Sequence, residues 1–182
     1  MMRDFQIYLR SVDYEVIELL DAWTSLTIVM RFNGVGTWEL EIPMSSQLAQ
    51  YVLPDTGIII KYGEDVIFSG PGGTDYESTK DTIKLSGTDD NVLLEELASP
   101  DPTVNSEPYG AEYDVITGQA SSVMISLVRR NIGADAASQR KIPQLVMATD
   151  PALGSTITSR ARFDPMITLL AQLASTPIAT GL

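Results

Sequence analysis

The segment RFNGVGTWELEIP, residues 31–43, constrains the fold of this chain more than any other. Period-two patterning is present on both sides of two nearby glycines, with one apolar and one polar face on the second arm, and a period of two is the period of a β-strand. Asn33 and Gly34 tolerate the positive φ of a tight turn, and Gly36 suits a bulge after it. The pattern predicts a β-hairpin with arms at residues 26–32 and 37–42.

The remainder of the first half also predicts short strands. Glycine-, proline- and aspartate-containing turns separate these strands at regular intervals, as they do in β-barrels and β-sandwiches. We expect a β-barrel-like module. Its further predicted strands cover residues 5–9, 16–20, 58–62, 66–69, 75–80 and 82–87, with one helical turn within residues 45–51.

The second half changes to mixed helix and strand signals. Apolar residues recur at helical spacing after candidate N-caps. The predicted helices are residues 91–97 with Thr88 or Asp89 as N-cap, Thr117 to Gly133, and a helix with Asp164 as N-cap and Pro165 in its first turn. Strands are predicted at residues 144–148 and 156–159.

Two prolines within Ser99–Thr103 mark the predicted domain boundary. The expected architecture is α+β, with a β-rich, barrel-like domain at residues 1–102 and an α+β domain at residues 103–182.

Cysteine and histidine are both absent from the chain. Their absence excludes disulfides, thiol catalysis, Cys-based zinc sites and every mechanism that needs an imidazole. Carboxylate, lysine, tyrosine or serine chemistry stays possible. Because there is also no P-loop, dinucleotide or EF-hand pattern, the sequence predicts no cofactor and no metal.

Net charge is −12 and is unevenly distributed. Residues 1–110 carry 19 acidic and 6 basic residues, whereas residues 111–182 carry 5 and 6. An acidic chain lacks the basic footprint that phosphate binding needs, so we expect no direct nucleic-acid binding. No secretory leader and no apolar run long enough for a membrane span are visible, which predicts a chain made in the cytoplasm.

Paired carboxylates are the only catalytic pattern in the sequence that points to a reaction. Glu39 and Glu41 lie roughly 7 Å apart along one strand, within the spacing of inverting glycosidases. They also alternate with apolar residues and therefore belong to the expected solvent face, where such pairs are ordinary. Asp89 and Asp90 are explained by helix capping and the helix dipole.

Six basic residues stand out in the second half as a possible interface. They are Arg129, Arg130, Arg140, Lys141, Arg160 and Arg162. One interpretation is ordinary solvated charge. The other is a basic face that docks onto an acidic face of a neighbouring copy in a head-to-tail contact.

Several motifs together resemble one protein family. They are Arg31–Pro43, Ile67-Phe-Ser-Gly-Pro71, Ser86-Gly-Thr-Asp-Asp90, and the segments at residues 113–118, 128–132 and 159–164. In this order they are similar to the minor tail or tail-tip (baseplate) hub proteins of long-tailed phages, siphoviruses especially of actinobacteria. The resemblance runs from about residue 5 to the C-terminus.

This resemblance implies a structural virion protein rather than an enzyme. It implies a homotrimer that closes the tail tube, contacts the distal tail and tape-measure proteins, carries a fibre or spike, and guides DNA out during host attachment. The hairpin would belong to a barrel that meets the tube or neighbouring subunits, with Trp38 and Phe32 as core residues. Similar proteins continue with more β-structure, so the chain is expected to be a fragment, a short copy, or completed by a neighbouring chain.

Two other functional classes compete with the structural one. The first is a carbohydrate- or receptor-binding module of the tail tip, with Trp23, Tyr76 and Tyr109 stacking on sugar rings. The second is a tail-associated cell-wall hydrolase that uses the Glu39 and Glu41 carboxylates. A glycan array would test the first, and zymography of a Glu39→Gln variant would test the second.

Overall fold

The computed structural model describes residues 5–105 and 110–175 of the chain. Two compact units are present, Met1–Val92 and Leu93–Leu182. The domain limits at residues 102 and 103, which the proline-rich segment indicates, stay a prediction.

The first unit consists of two four-stranded antiparallel sheets, with strand orders β2-β1-β5-β6 and β3-β4-β8-β7. The hairpins expected from sequence are all confirmed, because β3 pairs with β4, β5 with β6, and β7 with β8. The strands are β1 (Phe5–Arg10), β2 (Val16–Leu19), β3 (Ser25–Val29), β4 (Thr37–Pro43), β5 (Gly57–Tyr62), β6 (Asp65–Gly70), β7 (Gly72–Ser78) and β8 (Thr82–Thr88).

One apolar core joins the two sheets. Strands β1, β4, β5 and β8 contribute most of the inward-facing residues, and the buried residues of both sheets form a single cluster. The largest contributors are Ile7, Leu9, Ile58 and Ile60 from the first sheet, and Trp38, Leu40, Ile42, Ile83 and Leu85 from the second. This arrangement is a sandwich. Within residues 5–105 and 110–175 no sheet closes on itself, so the expectation of a barrel is wrong.

The second unit is mixed, which confirms the α+β class. Its elements are β9 (Asp114–Gln119), α1 (Ala120–Asn131), β10 (Thr156–Ala161) and α2 (Met166–Ala174). Strands β9 and β10 form a two-stranded antiparallel sheet. A two-stranded sheet is marginal alone, and here it shares a core with both helices through Leu127, Ala161 and Met166.

Two predicted elements of this unit are wrong in extent or type. The helix expected from Thr117 begins at Ala120, because Thr117 lies in β9 opposite Thr158 of β10. Residues 144–148 form no strand. Val146 is 88% exposed, so this segment has no packed face that would fix it against a sheet.

Two helix boundaries also differ from expectation. The segment predicted as a helix over residues 91–97 is a 3₁₀ helix at Asp90–Glu95. Asp89 supports its start, because the carboxylate accepts the backbone N–H of Asn91 at 3.1 Å. Helix α2 begins at Met166, with Pro165 rather than Asp164 at the N-cap. The helical turn expected near residue 50 is present as a 3₁₀ helix at Ala49–Tyr51.

The helices in the described parts of the chain are too short or too polar to cross a lipid bilayer.

Candidate functional site

Three of the sequence motifs meet at one place in the first unit. The Asp89 carboxylate accepts the backbone N–H of Gly36 at 2.9 Å, and the Gly36 carbonyl accepts the backbone N–H of Asp89 at 3.0 Å. The Asn91 side-chain amide donates to the Gly34 carbonyl at 3.2 Å. The Asp-Asp motif therefore holds the loop of the β3–β4 hairpin in place.

The third motif joins this junction through Trp38. Its indole N–H donates to the Pro71 carbonyl at 3.0 Å. A Cβ on Gly87 would lie 2.0 Å from that carbonyl oxygen and 2.6 Å from the indole nitrogen. Only glycine fits between them. Pro71 links β6 of one sheet to β7 of the other, so this contact marks the point where the chain crosses between the sheets.

The hairpin turn is built differently from the sequence expectation. Asn33 has a φ of 54°, as its type suggests. Gly34 does not adopt a positive φ. Gly36 is required by close approach instead, because a Cβ there would lie 2.5 Å from the Val29 carbonyl oxygen and 2.7 Å from the Asp89 carboxylate.

The tip of this hairpin is apolar and faces solvent. Phe32 is 94% exposed and Met30 is 62% exposed. The expectation that Phe32 is a core residue is wrong, because β3 ends at Val29 and Phe32 belongs to the loop. Next to the tip lies an open groove of about 370 Å³. Its lining includes Met30, Arg31, Val66, Ile67, Asp89 and Asp90.

An ion pair with one buried partner involves the same Asp-Asp motif. The Arg10 guanidinium contacts the Asp90 carboxylate at 2.6 Å and has a side chain only 5% exposed. Tyr14 packs its ring 4.8 Å from the guanidinium carbon. Burial, with a smaller contribution from Asp90, raises the pKa of the Tyr14 hydroxyl, and Arg10 partly offsets this. Because Arg10 joins β1 to the Asp-Asp motif through two hydrogen bonds to Asp90, we assign it a structural role.

Four of the six predicted interface residues are engaged within the second unit. Arg129 pairs with Asp135 at 2.6 Å, and the Lys141 ammonium donates to the Ala134 carbonyl at 2.9 Å. The Arg140 guanidinium donates to the carbonyls of Leu97 and Asn131. Arg140 therefore satisfies the Asn131 carbonyl at the end of α1, as a basic residue near a helix C-terminus does, and also binds the carbonyl of the distant Leu97.

Arg130 makes the fourth internal contact, with a buried carboxylate. It lies 2.8 Å from the Asp114 carboxylate, whose side chain is 2% exposed. The second carboxylate oxygen of Asp114 is buried without a hydrogen-bond partner among the residues described. Burial raises the pKa of Asp114 above its usual value of 3.8, and Arg130 offsets part of this increase.

Arg160 and Arg162 are the two predicted interface residues that face solvent from the β9–β10 sheet. Arg160 lies opposite Val115. Arg162 lies near two rings, with its guanidinium carbon 5.9 Å from the centre of Tyr113 and 5.7 Å from that of Phe163. We call Tyr113, Val115, Arg160 and Arg162 the basic face. The interface role of all six basic residues stays a prediction.

Four carboxylates gather on the outer face of the sheet β3-β4-β8-β7. Glu39, Ser86 and Asp75 form one cross-strand row, and Glu41, Lys84 and Glu77 form the next. Together these six residues are the acidic face, and a shallow depression of about 120 Å³ runs over part of it. Within residues 5–105 and 110–175 no group of three acidic side chains has the arrangement of a metal site.

The carboxylates of β7 were not expected here from the sequence. Glu39 and Glu41 are on the solvent side, as their alternation predicts. That Asp75 and Glu77 lie beside them depends on the pairing of both β4 and β7 with β8. Since β4 and β8 are about forty residues apart, only the long-range register reveals the acidic face, and periodicity alone does not contain it.

The aromatic residues considered for sugar binding do not form a platform. Tyr76 packs against the core, on the opposite face of its strand from Asp75 and Glu77. Trp23 is 40% exposed. Tyr109 lies outside the described residues.

Comparison with known proteins agrees with the resemblance seen in the motifs. A family model described as Siphovirus ReqiPepy6 Gp37-like protein matches residues 6–177. No curated protein matches the chain. Among solved structures, the 43 kDa tail protein of prophage MuSo2 from Shewanella oneidensis has a similar fold, with a TM-score of 0.50 and 18% identity over 93% of this chain and 48% of that one.

A tail protein from Neisseria meningitidis MC58 also matches, with a TM-score of 0.43 and 12% identity over 93% of this chain and 45% of that one. The chain thus spans less than half the length of both solved structures. Because the family model covers nearly the whole chain, the chain belongs to the Siphovirus ReqiPepy6 Gp37-like family.

Proposed function

We propose that this chain is a structural component of a siphovirus tail, positioned in the tail-tip hub. In that position it closes the tail tube and attaches distal fibre or spike proteins during host attachment and DNA ejection. The observation that carries the proposal is the fold shared over 93% of the chain with a prophage tail protein, together with membership of a siphovirus family.

The surface of the first unit supports a role in assembly. The hairpin tip exposes Phe32 and Met30, and the groove beside it is lined by apolar residues of an edge strand and by two carboxylates. Neighbouring exposed apolar residues are typical of surfaces that are covered by another protein. We propose that distal tail and tape-measure proteins, and further copies of this chain in a homotrimer, are the partners.

Localisation in the virion tests the proposal directly. Antibodies raised against the purified chain are bound to intact phage particles and located with gold label by electron microscopy. Label at the end of the tail distal to the capsid is the expected result. Label along the whole tube would overturn the hub position, and particles without label or the protein's peptides would overturn the tail function.

A further inference from the structure

The basic face has the features of a site for carboxylates. Arg160 is exposed on β10, and neither Arg160 nor Arg162 forms an ion pair with a carboxylate of residues 5–105 or 110–175. The internal hydrogen bonds of Arg162 are of a different kind, because its backbone N–H donates to the Asp164 carboxylate and its guanidinium donates to the Glu112 backbone carbonyl. The two guanidinium groups are therefore available for acidic partners.

The aromatic rings orient Arg162 for this role. Tyr113 and Phe163 both have their ring centres within 6 Å of the guanidinium carbon, and one N–H group donates to the Glu112 carbonyl at 3.2 Å. An arginine restrained in this way loses less rotamer freedom when it binds, and its planar edge matches the two oxygens of a carboxylate. Tyr113 and Val115 add exposed apolar area that a partner would remove from water.

The acidic face has the complementary charge and spacing. Four carboxylates surround one lysine there, and no ion pair to Lys84 offsets them among the described residues. Glu39 and Glu41 are two residues apart on one strand, as are Asp75 and Glu77 on another. Each of these carboxylate pairs is separated by about 7 Å along its strand. Arg160 lies in β10 and Arg162 directly follows Ala161, the last residue of that strand, so the basic face presents two neighbouring cations to the carboxylates.

From this complementarity we infer that the basic face of one copy docks onto the acidic face of a second copy. The contact is heterologous, because it joins two different faces of the same chain, and such contacts close into rings when the rotation permits. This inference rests on the proposed function, in which several copies assemble. The inference adds to the proposed function an interface between copies, formed by Arg160 and Arg162 on one copy and by the carboxylates of β4 and β7 on the other.

Complementary neutral variants test the contact. One variant carries Arg160→Gln and Arg162→Gln. The other carries Glu39→Gln, Glu41→Gln, Asp75→Asn and Glu77→Gln. All six side chains are on the surface, so both proteins are expected to fold, which circular dichroism and thermal unfolding check. A third variant with Arg129→Gln and Lys141→Gln removes two cations elsewhere and is the matched control.

Mass in solution is measured by light scattering over a salt series. We expect the unaltered chain and the control to associate at low salt and to separate as salt rises. Each neutral variant alone should have a dissociation constant raised roughly tenfold or more. An equimolar mixture of the two should form a heterodimer and stop there, because only one complementary pair of faces remains.

The outcomes separate this inference from the proposed function. A monomer at every salt concentration, or equal association of all variants, overturns the contact, whatever the gold label shows. If the mixture forms the heterodimer but virions carry no label, the contact stands and the tail assignment fails. Binding of an anionic polymer to Arg160 and Arg162, without self-association, would also overturn the contact.

Discussion

The Asp89 carboxylate accepts the backbone N–H of Gly36 at 2.9 Å, although the two residues are 53 positions apart in the chain. This bond joins the loop of the first hairpin to the segment that follows the last strand of the same sheet. It gives a physical reason for an aspartate directly after β8 and for a glycine just before β4.

Loss of this bond should destabilise the first unit. We expect Asp89→Ala to lower the free energy of unfolding by about 1–3 kcal/mol, because the amide of buried Gly36 loses its acceptor. Urea unfolding followed by tryptophan fluorescence, to which Trp23 and Trp38 both contribute, measures the change. Asp81→Ala is the control, since the Asp81 side chain is 75% exposed and its pair with Lys80 is long at 3.8 Å. Equal losses in the two variants would contradict the role given to Asp89.

Gly87 should tolerate no side chain. Gly87→Ala would place a methyl group 2.0 Å from the Pro71 carbonyl oxygen. Relief of this clash requires separation of Trp38 from Pro71, and we expect a loss of roughly 1–3 kcal/mol in the free energy of unfolding. In Gly34→Ala the nearest atom is 3.6 Å away, so that variant should retain its stability. Thermal unfolding of both proteins compares them, and a stable Gly87→Ala protein would rule out the close approach.

The two aromatic residues of the first hairpin should behave oppositely. Phe32 is 94% exposed, so Phe32→Ser should change the free energy of unfolding by no more than about 0.5 kcal/mol. Trp38 is 2% exposed, and Trp38→Ala should cost about 3–5 kcal/mol. Denaturant midpoints measure both changes. A large loss for Phe32→Ser would mean that its ring is packed in solution.

Substitution of Arg140 should destabilise the protein, whereas substitution of the surface residue Arg160 should not. Arg140→Met removes the donor to the Leu97 and Asn131 carbonyls and should lower the free energy of unfolding by about 1–3 kcal/mol. Arg160→Met should have an effect within about 0.5 kcal/mol, measured on the monomer at high salt. If Arg160→Met were the more damaging of the two, the assignment of Arg160 to a solvent-facing surface would be incorrect.

Asp114 should make the second unit more stable in mild acid. Burial raises its folded-state pKa above the usual 3.8, so the folded protein binds this proton more tightly than the unfolded chain. Its contribution to stability therefore increases as pH falls from 7 through the raised pKa, and levels off below 3.8. The unfolding free energy of the unaltered chain minus that of Asp114→Asn should accordingly rise toward acid.

Asp150→Asn is a control in which the stability contribution of the carboxyl group should change with pH in the opposite direction. Hydrogen bonds from the Ser122 side chain and the Ala152 backbone lower the pKa of Asp150, so its contribution is present above 3.8 and is lost as pH falls. Unfolding curves at several pH values compare both variants with the unaltered chain. Parallel pH dependence for the two differences would contradict the assigned environments.

Local patterns in the sequence predicted most of the first unit. The three hairpins follow from period-two alternation with turn residues between, and both signals lie within a few residues of each other. The predicted closure into a barrel was wrong, because closure depends on which edge strands pair, and these strands are far apart in the chain. In the structure β2, β6, β3 and β7 are all edge strands.

The second unit was harder to predict for a related reason. Thr117 has the side chain of a good N-cap, yet its pairing with Thr158 extends β9 and delays the helix to Ala120. Likewise, the list of basic residues from the sequence did not distinguish Arg140, which satisfies carbonyls, from Arg160, which faces solvent. That distinction depends on contacts between segments far apart in the chain.

The passage of the chain through Pro71 has a consequence for how the first unit opens. Strands β6 and β7 belong to different sheets but are separated by one residue, and both sheets share one core. The one-residue connection is too short for one sheet to detach while the other stays folded. Amide protons of β5 and of β8 should therefore exchange with solvent together, in one cooperative opening of the sandwich.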